Sequence, residues 1–267
     1  MEHHSDSGAR DIFLFQDILS ELGIKMSCES LILDFGCGQG ETVYQFRKMG
    51  LKAFGADIST RFEPVQGQCK REGMIAEDEN IFRSISFSPY TIPFEDDTFD
   101  FVFSNQVLEH VQDYSAALEE IRRILKPEGI GLHVFPSKWR PIECHTLVPL
   151  GGVLRGRVYL ALCALLGIRN SYQKQANSSQ VASRNFDYLK NCTMYLSKSE
   201  IRKYASSCFG NIEFVERQYL KHSAGRGRHV YQLAEALPLL TWLFSSFHMR
   251  AILFKKKQTG SAPELVA

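Results

Sequence analysis

Residues 31–41 read "LILDFGCGQGE": an apolar run broken by Asp34, then glycine at 36, 38 and 40, then Glu41. Glycine weakens a packed element, so three in five positions mark backbone that takes left-handed angles or lets a ligand come close. Leu31–Phe35 reads as a buried strand. Glu41–Met49 reads as the helix that follows, with Val43, Phe46 and Met49 on one face and Gly50 just past its end. A strand, a glycine turn and a helix make the first unit of a parallel sheet.

The unit recurs on both sides of that stretch. Upstream, Ile12, Phe15, Ile18, Leu19 and Leu22 fall at helical spacing before Gly23. Downstream, "KAFGAD" (Lys52–Asp57) is a second strand, and Ser59 or Thr60 is placed to cap a helix running towards Gly73. "SISF" (Ser84–Phe87), "FDFVFS" (Phe99–Ser104) and "GIGLHVFP" (Gly129–Pro136) read as the third, fourth and fifth strands. Asp113 caps the helix "YSAALEEIRRIL", and "KPEG" ends it. Such alternation predicts an α/β fold with a doubly wound, mostly parallel sheet.

After Pro136 the rhythm breaks for about 55 residues. That stretch holds the apolar segment Val158–Ile168 and a polar one, "QKQANSSQVAS" (173–183), which reads as a mobile loop. Ser197 and Glu200 then form a capping box, Asn211–Leu220 reads as a strand, and Leu237–Phe254 as an apolar C-terminal helix. The expected organisation is one domain over 1–267. Residues 1–28 form an N-terminal lid helix, 29–137 a ligand-binding core, 138–192 an insertion after the fifth strand, and 193–267 complete the sheet.

With 267 residues and 44% hydrophobic content the chain can bury a sizeable core. A net charge of +1 gives no ground for a nucleic-acid partner. The seven cysteines are scattered and never spaced C-x-x-C, which suits reduced thiols. No basic, then apolar, leader opens the sequence, and His3–His4 read as a polar end, so a cytoplasmic location is expected. Charge is uneven, however. Arg155, Arg157, Arg169, Lys174 and Arg184 stand in a stretch without acids, and Arg250 and Lys255–Lys257 in another, leaving the rest acidic.

In an open parallel sheet the ligand lies beyond the carboxyl ends of the strands. A dinucleotide fingerprint would need glycine at 41, where Glu41 would instead repel a pyrophosphate at the helix mouth. Asp34 favours an amino-bearing ligand, and Asp57, at the end of the second strand, is placed to accept both hydroxyls of a ribose. S-adenosylmethionine has a ribose, an amino group and no phosphate.

At this point the runs "LDFGCGQGE", "GADIS" and "IPFEDDTFDFVFSNQVLEHVQDYSAALEEIRRILKPEGIGLHVFPS" resemble the class I S-adenosylmethionine-dependent methyltransferases, over about residues 30–137. Within them the chain is most similar to the branch that includes the ubiquinone and menaquinone C-methyltransferases. The resemblance implies a Rossmann-like fold in which Asp34, Gly36, Gly38 and Gly40 surround the methionine part of the cofactor. Asp57 would bind the ribose, Ile58 would pack on the adenine, and Ser104 and Asn105 would line the methyl-donor pocket. Ser88 stands where the family commonly has an acid for the adenine amino group, which weakens that contact.

Two histidines are candidate catalytic residues. His110 follows the fourth strand on the carboxyl side of the sheet. His145, at the start of the insertion, is a candidate general base for a hydroxyl acceptor. His133, inside a strand, reads as structural. The basic insertion favours a small, sugar-linked or lipid-linked acceptor carrying phosphate or carboxylate. Residues 237–257 read either as a helix covering the sheet or as a peripheral membrane contact through aromatic and basic residues. A non-catalytic binding module is disfavoured by the intact glycine turn, and a nicotinamide oxidoreductase by Glu41.

Overall fold

A computed structural model of the chain describes residues 5–223, 231–232 and 237–256. The predicted units form where the sequence places them: β1 (Leu31–Phe35), α2 (Glu41–Lys48) and β2 (Lys52–Asp57), preceded by α1 (Ser5–Glu21). Then come α3 (Glu63–Arg71), β3 (Phe82–Ser84), β4 (Ser86–Phe87), β5 (Tyr90–Thr91), β6 (Phe99–Asn105), α4 (Tyr114–Ile124) and β7 (Leu125–Pro136). The insertion contributes α5 (Arg157–Leu165) and α6 (Ser178–Asn191), and the chain returns through α7 (Lys198–Ala205), β8 (Phe209–Phe214), α8 (Glu216–His222), α9 (Pro238–Phe247) and β9 (Met249–Lys256).

The main sheet has seven strands in the order β3-β2-β1-β6-β7-β9-β8. β1 pairs in parallel with β2 on one side and β6 on the other, so strand order reverses at β1. Only β9 runs against its neighbours, pairing antiparallel with β7 and β8. This is the Rossmann-like, mostly parallel sheet, and the glycine turn leaves it at the switch point.

Both faces of the sheet are covered, which explains why β1, apart from Asp34, and Phe101–Phe103 of β6 are apolar on both faces. Ile32, Phe101 and Phe103 point into one core with Phe15 and Ile18 of α1 and Phe46 of α2. Leu33 and Val102 point into the other, with Ala117, Leu118 and Ile121 of α4 and Ile201 of α7. Asp113 caps α4 by accepting from the Ala116 N–H, and Ser197 and Glu200 make the expected capping box on α7. Helix α1, expected as a lid, packs into the core: Phe15 stacks on Phe103 at 4.7 Å, and His222 of α8 bonds Glu21 at 2.6 Å.

Several expectations change. Ser84–Phe87 is split between β3 in the main sheet and a hairpin of β4 with β5, because the chain turns out of the sheet at Ile85. Ser59 and Thr60 do not cap α3, whose first residues follow Phe62. The polar stretch 173–183 is helical from Ser178, fixed by a capping box of Asn177 with Gln180. Asn211–Leu220 is half strand and half helix, the break falling at Val215.

The largest difference lies at the C-terminus. Leu237–Phe254 is not one helix: α9 ends at Phe247, and Met249–Phe254 are buried as the strand β9 inside the sheet. An apolar run of this length does not distinguish a helix from a strand flanked on both sides. Arg250 is buried against Glu216 at 3.5 Å, and Lys256 bonds the Leu125 carbonyl and Asp97. Those charges therefore do not share a face with α9, and Lys257 and His3–His4 lie outside the described residues.

Phe103 is fully buried among Phe15, Phe46 and Phe101. Phe103→Ala should cost about 3–5 kcal/mol of stability, the usual loss for an aromatic core truncation. Urea denaturation checks this, and a cost under 1 kcal/mol would mean that α1 is not part of the core.

Candidate active site

Three positive φ angles explain the glycine spacing. Gly36, Gly38 and Gly40 sit at +79°, +55° and +84°, a region that L side chains rarely enter. Their surroundings differ. A Cβ on Gly36 would lie 2.3 Å from Val107, and one on Gly40 2.6 Å from Phe82, so these two positions are filled by packing. A Cβ on Gly38 would meet nothing within 4 Å. Gly38 is where the turn leaves its backbone open.

Asp57 closes the turn. Its carboxylate accepts from the Gly38 N–H at 2.9 Å, the Ser59 N–H at 2.8 Å and the Ser59 hydroxyl at 2.9 Å. From sequence this residue reads only as ligand-facing; in the fold it holds the open backbone at Gly38. Asp34, at the end of β1, is buried, and its charge and that of Asp57 both act on Cys37 between them. Burial first, and these two acids second, push the Cys37 thiol well above its usual range, so it stays neutral. Ile58 stands beside Asp57 with 64% of its surface exposed, an apolar platform at the strand end.

Not every predicted residue faces this cleft. Ser104 is fully buried, with its hydroxyl 2.7 Å from His133 Nδ1, so its side chain belongs to the sheet. Burial lowers the pKa of His133 to about 3 and keeps it neutral, in keeping with a structural role. Asn105 ends β6 and is half-buried. Ser88 lies exposed at the tip of the β4–β5 hairpin, off the main sheet.

His110 and His145, separate in sequence, meet edge to face with ring centroids 4.8 Å apart. The link to the glycine turn is short: Val107, which packs on Gly36, leads into the single 3-10 turn Leu108–His110. His110 Nδ1 lies 2.7 Å from the Cys192 carbonyl, and burial lowers its pKa. His145 Nδ1 lies 2.8 Å from Glu143 Oε1. Hydrogen bonding with Cys144 and with Glu143 raises the His145 pKa to about 10.

The acids around this pair are what the sequence reading missed. Glu143 accepts from the Tyr195 hydroxyl at 2.6 Å and from the Thr146 N–H and hydroxyl at 2.6 and 2.7 Å. Burial pushes its pKa up, but the bonds from His145, Tyr195 and Thr146 outweigh this and hold it well below the carboxylate range. Glu109 is fully buried, and neither carboxylate oxygen has a hydrogen-bond partner. Burial raises its pKa to about 7. The doublet Glu109–His110 and the triplet Glu143–Cys144–His145 were visible signals.

Against His145 opens a pocket of about 450 Å³ lined also by Cys144, Asn170, Arg184, Asn185 and Tyr188. No acid lines it. Of the basic insertion, Arg184 alone reaches this lining. Arg155 is used internally, on the Leu189 and Gly152 carbonyls, as is Arg169 on Ala176. The seven cysteines are all free, as expected.

Residues 33–132 match a family described as "Methyltransferase domain". The chain carries a class I, S-adenosylmethionine-dependent methyltransferase domain. An uncharacterized methyltransferase of Schizosaccharomyces pombe is 38% identical over 103 residues, 37% of this chain and 37% of the relative. A sterol 4-C-methyltransferase of Caenorhabditis elegans is 24% identical over 214 residues, 80% of this chain and 53% of the relative. The chain thus spans between about a third and a half of the length of these relatives. A geranyl diphosphate methyltransferase solved with S-adenosylmethionine shares the fold, with a TM-score of 0.51 and 14% identity over 95% of this chain and 85% of that one. These relatives do not single out the quinone branch of the family.

The contrast between the glycines is testable in the domain. Gly40→Ala should cost about 2–4 kcal/mol of stability through strain and the clash with Phe82. Gly38→Ala should cost only about 1–2 kcal/mol, the left-handed penalty alone. It should nevertheless weaken S-adenosylhomocysteine binding roughly tenfold or more by filling the cradle. Denaturation and calorimetry on both variants check the pair; normal binding by Gly38→Ala would detach the cradle from the cofactor.

Proposed function

We propose that the chain transfers a methyl group from S-adenosylmethionine to an oxygen-rich or anionic acceptor, small or lipid- or sugar-linked, held in the pocket beside His145. The observation that carries this reading is the connection between the two sites: the packed Gly36–Val107 contact and the turn to His110 join the open Gly38 cradle to the His110–His145 pair.

S-adenosylmethionine supplies, when bound, a methyl group on a sulfonium that is already a good leaving group. The residues present fit it. Gly38 offers open backbone, Ile58 an exposed apolar face, and Asp34 and Asp57 two strand-end carboxylates for amino and hydroxyl groups. Asp57 already accepts three hydrogen bonds, so its remaining acceptor capacity would face the ribose. The protein's work is to align the acceptor with the cofactor and exclude water.

In the pocket, Arg184 supplies a cation and the Asn185 amide a buried N–H without a partner, its oxygen being held by Gln173 at 2.6 Å. Both favour phosphate, carboxylate or hydroxyl groups on the acceptor. His145, which its bonds to Cys144 and Glu143 keep protonated, sits where its charge would lower the acceptor's pKa rather than act as the expected general base. His110, whose pKa burial lowers, sits where it would take the proton. The insertion 138–192 acts as the acceptor-recognition unit, and residues 29–137 as the cofactor unit.

A lipid-linked acceptor is favoured by the surface around the insertion. Val158, Leu165 and Leu166 of α5 and its C-terminal end are exposed, as are Leu239 and Trp242 of α9. The C. elegans relative is named for a sterol, which points the same way. Among the described residues no helix is long and apolar enough to cross a membrane. Contact with lipid, for a protein in the cytoplasm, would be peripheral and through α5 and α9 rather than through Lys255 and Lys256 of β9.

The test is incubation with S-adenosylmethionine carrying a labelled methyl group and fractionated metabolites and lipids, with mass analysis of the product. The reading predicts label in an anionic or hydroxylated acceptor. Arg184→Ala should then raise the acceptor KM about 10–100-fold, the value of a charge-assisted hydrogen bond, with S-adenosylhomocysteine affinity unchanged. Cofactor binding with no product from any fraction would make the chain a binding module instead.

A further inference from the structure

We propose that Glu109, His110 and His145 bind a divalent transition-metal ion, zinc foremost, at the inner side of the acceptor pocket. A carboxylate oxygen of Glu109 and a ring nitrogen of each histidine lie within 4.8 Å of one another. Glu109 Oε1 is 3.9 Å from His110 Nε2. Bonds of about 2.1 Å at tetrahedral angles put ligand atoms about 3.4 Å apart, so the site closes with roughly an ångström of side-chain movement.

The condition of Glu109 argues most strongly for an ion. Its side chain is fully buried and both oxygens lack a hydrogen-bond partner, a costly state for a carboxylate that faces two imidazoles. The histidines are arranged as ligands. His110 Nδ1 is held by the Cys192 carbonyl and His145 Nδ1 by Glu143, which fixes both rings and leaves Nε2 of each for an ion. Anchoring of Nδ1 by an oxygen is the usual outer shell of a metal-bound histidine, and Glu143 is in turn fixed by Tyr195 and Thr146.

Glu143, Cys144 and His145 form a second group with ligand spacing. Its carboxylate is already filled by Tyr195, Thr146 and His145, so Glu143 orients the site rather than binding the ion. Two imidazoles and one carboxylate suit zinc, iron or manganese, with zinc bound more tightly than manganese. Three protein ligands leave a position open for an oxygen of the acceptor, whose pKa the ion would lower. This last role, unlike the ion site itself, rests on the methyl-transfer reading.

The test uses the full chain, stripped with chelator and carrying His3→Ser and His4→Ser so that those imidazoles do not compete. Equilibrium dialysis against Zn²⁺ and then Mn²⁺, with elemental analysis, should give one ion per chain and tighter zinc binding. Glu109→Gln and His110→Ala should each weaken zinc binding by about 100-fold or more, Glu143→Gln by about 10–100-fold, and Cys144→Ser should retain it. Circular dichroism establishes that each variant is folded, and the half-exposed His110 gives a second variant should Glu109→Gln fail to fold. Unchanged zinc affinity in both ligand variants, or binding lost in Cys144→Ser and kept in Glu109→Gln, would overturn the site. Titration with S-adenosylhomocysteine in parallel separates the two readings: zinc bound without cofactor binding contradicts methyl transfer alone, and cofactor bound without zinc contradicts the ion site alone.

Discussion

The Asp57 carboxylate and the backbone of Gly38 hold one another, and the candidate site is built from that contact. A turn with three left-handed residues in five must pair its N–H groups outside a regular ladder: those of Gly36 and Cys37 donate to the Ala56 carbonyl of β2, that of Gly40 to the Cys37 carbonyl, and that of Gly38 is left to a side chain. Asp57, from the neighbouring strand, accepts one of them and the Ser59 N–H as well. The parallel register of β1 with β2 is what sets these groups side by side. A ligand arriving at Gly38, as proposed, would meet backbone already fixed and a carboxylate held beside it.

The same turn fixes the second half of the site. Gly36 has no Cβ because Val107 occupies the space, and that contact seats the short turn ending in His110. His145 comes from the insertion, more than thirty residues later, and is locked by Glu143, Thr146 and Tyr195. In the proposed reading the sheet would make the cofactor side, and the acceptor side would come from an inserted helical unit with its own small core around Leu160 and Leu189. The sheet can stay constant while such an insertion changes the acceptor, which is a general property of sites grafted on common folds.

What was legible in the sequence follows from range. Strands β1, β2 and β6 and the cap at Asp113 depend on local pattern, and the sequence shows them to within a residue or so. The glycine turn and Asp57 were legible because their spacing is short and their chemistry unusual. The C-terminal strand was not, since Met249–Phe254, apolar but for Arg250, continues the apolar run of α9, and only pairing with β7 and β8 makes it extended. The helix from Ser178 was hidden by polar composition and set by the Asn177 cap. Ser104 could not be assigned to cleft or core until its partner His133 was placed across the sheet. Glu109 and Glu143 were passed over because their meaning lies in contacts between segments distant in sequence.

The central claim is that the β1–α2 turn, together with the end of β2, receives S-adenosylmethionine. Hydrogen–deuterium exchange of the full chain with and without S-adenosylhomocysteine measures this at the backbone itself. The account predicts slower exchange in peptides covering residues 34–42 and 56–60, while the buried strand β9 is unchanged. Saturating ligand that leaves both of those segments exchanging at the free rate would contradict it.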